Sequence, residues 1–161
     1  MCREMTIYWG PNQEFVEALL NSDTRFFIRG GVAVNYYDAT REVGDLDLLI
    51  EPSRETAEKV RDVFSRFAQP LFTVDDLARP AVGFRDRTVL NVDVLTARSV
   101  MDFGEHWEDA EQATFRGKVI RVASIKSLLR LDPRPDDVVR LQRAALSASA
   151  PAYSCSDACS P

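Results

Sequence analysis

The sequence has few of the residues that build disulfide frameworks or soft-metal sites. It contains three cysteines and one histidine in 161 residues. Cys2, Cys155 and Cys159 lie at the two ends of the chain, whereas a disulfide framework places its cysteines through the body of the fold. Cys155 and Cys159 are spaced like a ligand pair, but no second Cys or His pair accompanies them. We therefore expect free thiols rather than a disulfide-stabilised domain or a zinc site.

Long hydrophobic runs are also missing. No apolar segment approaches the ~20 residues that a membrane-spanning helix needs. The first ten residues lack the basic region and the apolar stretch of a signal peptide. The sequence therefore predicts a cytoplasmic protein with no membrane partner.

The chain has no excess of positive charge, since 20 basic residues face 25 acidic ones and the net charge is -5. This balance argues against a protein that binds nucleic acid by bulk electrostatics. The hydrophobic share of 45% is typical of a globular protein. Chain length favours one domain over residues 1–146, and residues 147–161, rich in Ala, Ser, Pro and Cys, are predicted to be a disordered tail.

Hydrophobic periodicity and turn residues predict a mixture of helices and strands. Helices are expected over 12–20, 32–37, 54–67, 124–131 and 136–146, with a short one after Ser99. Strand segments are expected over 25–29, 46–50, 71–74, 81–85, 88–95, 114–116 and 119–122, the last four forming two hairpins. We expect an α/β (α+β) fold in which a mixed sheet of four to five strands has its helices mainly on one face.

Three aspartates carry the strongest chemical signal. Asp45 and Asp47 are two residues apart on a predicted strand, so their side chains point to the same face, about 7 Å apart at Cα. Carboxylates at that separation can converge on two cations about 4 Å apart, as in two-metal phosphoryl-transfer sites. Asp93 lies on a later apolar strand, where an isolated carboxylate is costly unless it is paired or bound to metal. Together they predict a Mg²⁺ site.

Gly30 and Gly31 lie between a predicted strand and a predicted helix. Glycine lets the backbone approach a ligand closely, and the free N–H groups at a helix start attract phosphate. The turn is therefore predicted to hold a polyphosphate opposite the acids.

At these residues the sequence resembles the DNA polymerase beta superfamily of nucleotidyltransferases, and especially its bacterial branch with the AbiEii-type toxins. That branch has an apolar strand, Gly-Gly, a short helix, an Arg and an Asp-apolar-Asp strand. The corresponding segments here are 26–33, Arg41 and 44–50, and the third acid lies within 91–95. The sequence departs from the branch near its C-terminus, where Asp137 would match the first Asp of a Lys-Asp-x-x-Asp stretch and Arg140 replaces the second.

The resemblance implies a nucleotidyltransferase fold and specific roles for these residues. Gly30 and Gly31 would contact nucleotide phosphates, and Asp45 and Asp47 would bind two Mg²⁺ ions, with Mn²⁺ as an alternative. Asp93 would ligate the ion that activates an acceptor hydroxyl. The acceptor oxygen would attack the α-phosphate of an NTP and release pyrophosphate.

Other basic residues are candidates for nucleotide binding. Lys126 and Arg130 are four apart and share a helical face, which fits either a cationic wall for triphosphate or RNA, or a solvated surface. Arg41 could reach a phosphate or pair with Glu42 or Asp45.

Several functions agree with this pattern. The leading one is transfer of a nucleoside monophosphate to tRNA, a protein or a small molecule such as an antibiotic, with a toxin or phage-defence role and a possible cognate partner protein. The alternative is a non-catalytic nucleotide-binding or antitoxin-like module that keeps the fold.

Overall fold

The computed structural model describes residues 2–149, which alternate between short strands and helices. The elements are α1 (Gly10–Asn21), β1 (Phe26–Arg29), α2 (Gly30–Tyr37), β2 (Leu46–Ile50), α3 (Arg54–Phe64), α4 (Val74–Leu77), β3 (Gly83–Asp86), β4 (Val92–Thr96), α5 (Val100–Asp109), β5 (Glu111–Phe115), β6 (Lys118–Val122), α6 (Ile125–Arg130) and α7 (Pro135–Ser149).

The strands form one mixed sheet in the order β3-β4-β2-β1-β6-β5. β2 is central, pairing antiparallel with β1 and parallel with β4. β3 pairs antiparallel with β4, and β5 with β6, as the two predicted hairpins require. The mixed α/β fold is confirmed, but the sheet has six strands rather than four to five.

One face of the central strands is apolar and covered by helices. Leu46, Leu48 and Ile50 alternate with the other face along β2, and none is more than 1% exposed. Aromatic rings of α1, α3 and β3 extend this core through Phe15–Phe64, Phe64–Phe72 and Phe72–Phe84 contacts, with centroids 5.0–5.7 Å apart. Ser53 caps α3 by accepting a hydrogen bond from the Thr56 amide, as its sequence predicts.

The opposite face of the sheet is covered only in part. Phe27 of β1 stacks on Phe103 of α5 at a centroid distance of 5.5 Å. His106 of the same helix is 1% exposed, and its Nδ1 lies 2.7 Å from the Ser127 hydroxyl. His106 is therefore a buried packing residue that joins α5 to α6. The part of this face near the start of β2 is not covered by α5 and holds the candidate site.

Several predicted bounds differ from the structure, among them the strand over 88–95, which begins only at Val92. The predicted strand over 71–74 is wrong: the Thr73 side chain accepts a hydrogen bond from the Asp76 amide, and the Asp76 carboxylate accepts one from the Thr73 amide, so a capping box starts α4 here. α7 continues to Ser149, three residues into the predicted tail. The rest of that tail, with Cys155 and Cys159, lies outside the described residues. Across 2–149, no helix has the length and apolar character to span a bilayer.

Candidate active site

Three aspartates meet at the start of the parallel β2–β4 pair. Asp47 and Asp93 are direct neighbours in the register, and Asp45 immediately precedes β2. One carboxylate oxygen from each residue lies within 4.8 Å of those from the other two. The alternation of side chains along the strands explains why all three face the same side. The structure thus brings together the three acids named from the sequence, and we refer to them as the acid trio.

Asp47 is a partly buried carboxylate between two other negative charges. Burial raises the pKa of Asp47 to about 6, and the negative charges of Asp45 and Asp93 act in the same direction. Arg29, its neighbour in the β1–β2 register, opposes the shift. A carboxylate held in this way is destabilised in its charged form, and a nearby cation would relieve the repulsion.

Gly30 is the residue that makes room for Asp47. It directly follows β1, begins α2 and has a φ of +64°, a conformation that residues with a Cβ rarely adopt. A Cβ built on Gly30 would overlap the Asp47 carboxylate. The first glycine of the predicted turn is therefore needed both for its backbone conformation and for close approach to the acid trio.

Two arginines of the β3–β4 hairpin pair with the acid trio. Arg85 of β3 donates from Nε and Nη2 to the two oxygens of Asp93, at 3.0 and 3.1 Å. Arg87 Nη2 lies 2.8 Å from an oxygen of Asp45 and 2.8 Å from one of Asp93. Neither arginine was singled out from the sequence. The predicted hairpin, with its turn at residues 86–87, would pair Arg85 with Thr88. In the structure the loop is longer and Arg85 lies opposite Asp93, so no local signal in the sequence identifies this contact.

Arg41 pairs with an acid that is distant in sequence. Its Nε and Nη2 donate to the two Asp137 oxygens of α7 at 2.6 and 3.1 Å, and both side chains are largely buried. The sequence left Glu42 or Asp45 as its partner, and the structure shows instead a bidentate pair with Asp137, together with a hydrogen bond to the Glu42 carbonyl. The pair lies beside Gly31, where an added Cβ would be 3.2 Å from the Arg41 guanidinium.

One cleft of about 260 Å³ is lined by the acid trio, Gly30, Gly31, Arg41, Arg85 and Asp137. It is bounded by the start of α2, the acid trio, α6 and the loop before α7. The cationic side chains in its lining are Arg29, Arg41, Arg85 and Arg134. A larger cavity, of about 540 Å³, lies between the end of α2 and α7 but does not include the acid trio. The acids, rather than cavity size, define the candidate site.

Lys126 and Arg130 lie outside the lining of this cleft. Lys126 is exposed on α6, and Arg130 Nη2 lies 3.7 Å from a Glu105 oxygen. Arg130 instead lines an adjoining cavity of about 440 Å³. Their role in nucleotide binding stays a prediction.

No protein-family model matches this chain, and no curated protein matches it. Among solved structures, an antigenic nucleotidyltransferase-like protein from Paracoccidioides brasiliensis superposes with a TM-score of 0.52 at 16% sequence identity, over 85% of this chain and 75% of that protein. The chain has a nucleotidyltransferase fold. A protein from Thermotoga maritima that is provisionally named a nucleotidyltransferase superposes with a TM-score of 0.49 at 12% identity, over 85% of this chain and 88% of that protein. The AbiEii-type branch stays a prediction.

Proposed function

We propose that this chain is a metal-dependent nucleotidyltransferase that transfers a nucleoside monophosphate from an NTP to an acceptor hydroxyl. The observation that carries the proposal is the placement of the acid trio on two adjacent parallel strands, directly against the first glycine of a helix. This arrangement lies within a nucleotidyltransferase fold.

The acid trio fits a divalent cation by its chemistry. Its three carboxylates place oxygen atoms within 4.8 Å of one another, and hard oxygen ligands are those that Mg²⁺ prefers. Guanidinium nitrogens of Arg85 and Arg87 contact Asp45 and Asp93, so positive charge is already favoured beside the trio. Asp45, Asp47 and Asp93 would hold one or two Mg²⁺ ions, or Mn²⁺. When bound, the cation supplies activation of the acceptor oxygen and neutralisation of charge on the phosphates.

The other residues of the cleft would position the NTP. The first amides of α2, at Gly30 and Gly31, are suited to phosphate oxygens. Arg134, in the loop before α7, adds positive charge to the lining of the cleft. In the reaction, a bond forms between the acceptor oxygen and the α-phosphorus. The bond from that phosphorus to the α–β bridging oxygen breaks, and pyrophosphate leaves. A carboxylate of the trio would accept the hydroxyl proton.

The acceptor is the open part of the proposal. We retain tRNA, a protein side chain and a small molecule such as an antibiotic as candidates, with a toxin or phage-defence role and a cognate partner protein. The net charge of -5 gives little support to a large RNA-binding surface on this chain alone.

The direct test incubates the protein with each of four α-³²P-labelled NTPs, Mg²⁺ and a cell extract. We expect label in one class of acceptor, which identifies RNA, protein or small molecule by its separation behaviour. Asp45→Asn should abolish the labelling. Asp75→Asn, a matched change at an acid that is 78% exposed and pairs only with Arg54 among the described residues, should leave it intact. Labelling that persists in Asp45→Asn, or that never occurs in the wild type, would refute the proposal.

A non-catalytic nucleotide-binding or antitoxin-like module is the second candidate. It is favoured by one observation, namely that Arg85 and Arg87 already neutralise two of the three acids. Calorimetric titration with each NTP in the presence and absence of Mg²⁺ separates the two. The enzyme requires metal-dependent NTP binding, whereas binding that is indifferent to metal, without label transfer, indicates the module.

A further inference from the structure

Arg87 holds an unusual position within the acid trio. A single nitrogen, Nη2, lies 2.8 Å from an Asp45 oxygen and 2.8 Å from an Asp93 oxygen. One positively charged atom therefore bridges two carboxylates, as a metal ion shared between them would. Asp93 has both of its oxygens engaged by guanidinium groups, because Arg85 donates to the second one.

The other terminal nitrogen of the Arg87 guanidinium, Nη1, is also hydrogen-bonded. Nη1 donates to the backbone carbonyls of Asp86 at 2.9 Å and Val92 at 3.1 Å. The guanidinium thus donates to three oxygens, forms an ion pair with a fourth, on Asp93, and remains 35% exposed at its side chain. This contact set is more complete than that of Arg85, which is 67% exposed and, within residues 2–149, pairs with Asp93 alone.

The loop that carries Arg87 is itself anchored. The Asp86 carboxylate accepts hydrogen bonds from the amides of the three residues after Arg87, which are Thr88, Val89 and Leu90. Farther along, Asn12 of α1 donates to the Asn91 carbonyl at 3.0 Å and accepts from the Asn91 amide at 2.9 Å. These hydrogen bonds fix the conformation of the loop and therefore the position of Arg87.

We propose that Arg87 is the resident counter-ion of the acid trio, and that a divalent cation must displace it from Asp45 and Asp93 to bind there. This inference rests on the proposed function only in that the trio binds a divalent ion. Two cations cannot share the same carboxylate lone pairs, and like charges at this distance repel. Arg87 thereby lowers the affinity of the free protein for metal and stabilises the acid trio while metal is absent.

The test measures Mn²⁺ binding to the metal-free full-length protein, from the electron paramagnetic resonance signal of free Mn²⁺, without any nucleotide. Arg87→Gln should bind Mn²⁺ roughly tenfold more tightly than the wild type, the size expected for losing a charged hydrogen-bonded competitor. The matched control is Arg134→Gln, which removes the same charge from a residue that lines the cleft of the trio but has no described contact to the trio. It should change the affinity by less than about threefold, a change of well under 1 kcal/mol. Equal effects of the two substitutions, weaker binding by Arg87→Gln, or no binding by either protein would overturn the inference.

A second readout uses the wild type, in case Arg87→Gln does not fold. Side-chain Nε–H signals of ¹⁵N-arginine are followed by NMR as Mg²⁺ is added, and the Arg87 signal is assigned by its absence from Arg87→Lys. We expect the Arg87 signal to shift with metal while that of Arg134 stays in place. Metal binding that leaves the Arg87 signal unmoved would contradict displacement. Neither readout requires turnover, so displacement without any label transfer would refute the proposed function alone.

Discussion

The two faces of the β2–β4 strand pair have opposite properties. On one face, Leu46, Leu48, Val92 and Val94 are at most 1% exposed and join the main core. On the other face, Asp47 and Asp93 each lie one residue further along their strands. With Asp45 they place three carboxylates in one cleft. The same two strands therefore contribute stability on one side and electrostatic cost on the other.

This difference shows how the fold supports a site that would be unfavourable by itself. Apolar burial is favourable in proportion to area, while clustered carboxylates repel and lose solvation. The trio is tolerated because strands anchored by the apolar face impose its geometry and because Arg85 and Arg87 partly neutralise it. Substitutions on the two faces should accordingly affect different measurements.

The largest effect is expected on the acid face. Asp93→Asn keeps the size of the side chain but removes its charge, and should lower nucleotide transfer by about 10³-fold, the scale typical of losing one essential electrostatic group. The loss is measured from initial rates of label transfer to one identified acceptor. Asp62→Asn, at an exposed acid of α3, is the control and should retain full activity; a similar loss in both would contradict a special role for the trio.

The next effect belongs to the apolar face. Leu48→Ala should lower the free energy of unfolding by about 3 kcal/mol, because it opens a cavity at a fully buried position. Leu71→Ala, the same substitution at a side chain that is 90% exposed, should change stability by less than about 0.5 kcal/mol. Urea unfolding followed by circular dichroism measures both. If Leu48→Ala left stability unchanged but abolished metal binding, the division between the faces would be wrong.

A substitution at Gly30 should affect both the stability of the fold and the acid trio. Gly30→Ala should lower the free energy of unfolding by about 2 kcal/mol, because a Cβ would overlap the Asp47 carboxylate and the φ of Gly30 is +64°. It should also weaken Mn²⁺ binding, since Asp47 must move. Gly104→Ala in α5, where an added Cβ meets no atom of the described part of the chain within 4 Å, should instead stabilise the protein slightly. Thermal unfolding compares them, and equal melting temperatures would show that Gly30 is not constrained.

The smallest effect is a gain in stability. Asp47→Asn should raise the free energy of unfolding of the metal-free protein by about 1 kcal/mol at pH 8, because it removes a charge from a partly buried, repulsive position. The pKa of Asp47 is raised to about 6 from an unfolded value of 3.8, so the charged form is the destabilising one. The gain should therefore be complete above pH 7 and vanish as pH falls towards 4. Urea unfolding in EDTA at several pH values measures it; a loss of stability at pH 8 would contradict the pKa assignment.

Local sequence patterns were sufficient for much of the fold and for the centre of the site. Alternation along a strand placed Asp45 and Asp47 on one face, and the Gly-Gly turn after an apolar strand placed Gly30 near them. Short segments with weak patterns were less predictable, as with 71–74, where Thr73 and Asp76 form a capping box instead of a strand.

Contacts between distant residues could not be predicted from local patterns. Arg41 pairs with Asp137 across 96 positions, and Arg87 reaches Asp45 across 42. Such pairs depend on how α7 and the β3–β4 hairpin pack against the sheet, which no local periodicity encodes. The positions of the charges that balance the acid trio are therefore a property of the tertiary structure.

The most direct test of the central claim is anomalous diffraction from crystals of the protein soaked with Mn²⁺ and a non-hydrolysable NTP. The account predicts a Mn²⁺ peak in direct coordination with oxygens of Asp45, Asp47 and Asp93, with phosphate oxygens at the first turn of α2. A nucleotide bound elsewhere, or a trio that keeps its arginine pairs and holds no Mn²⁺ at saturating concentration, would contradict it.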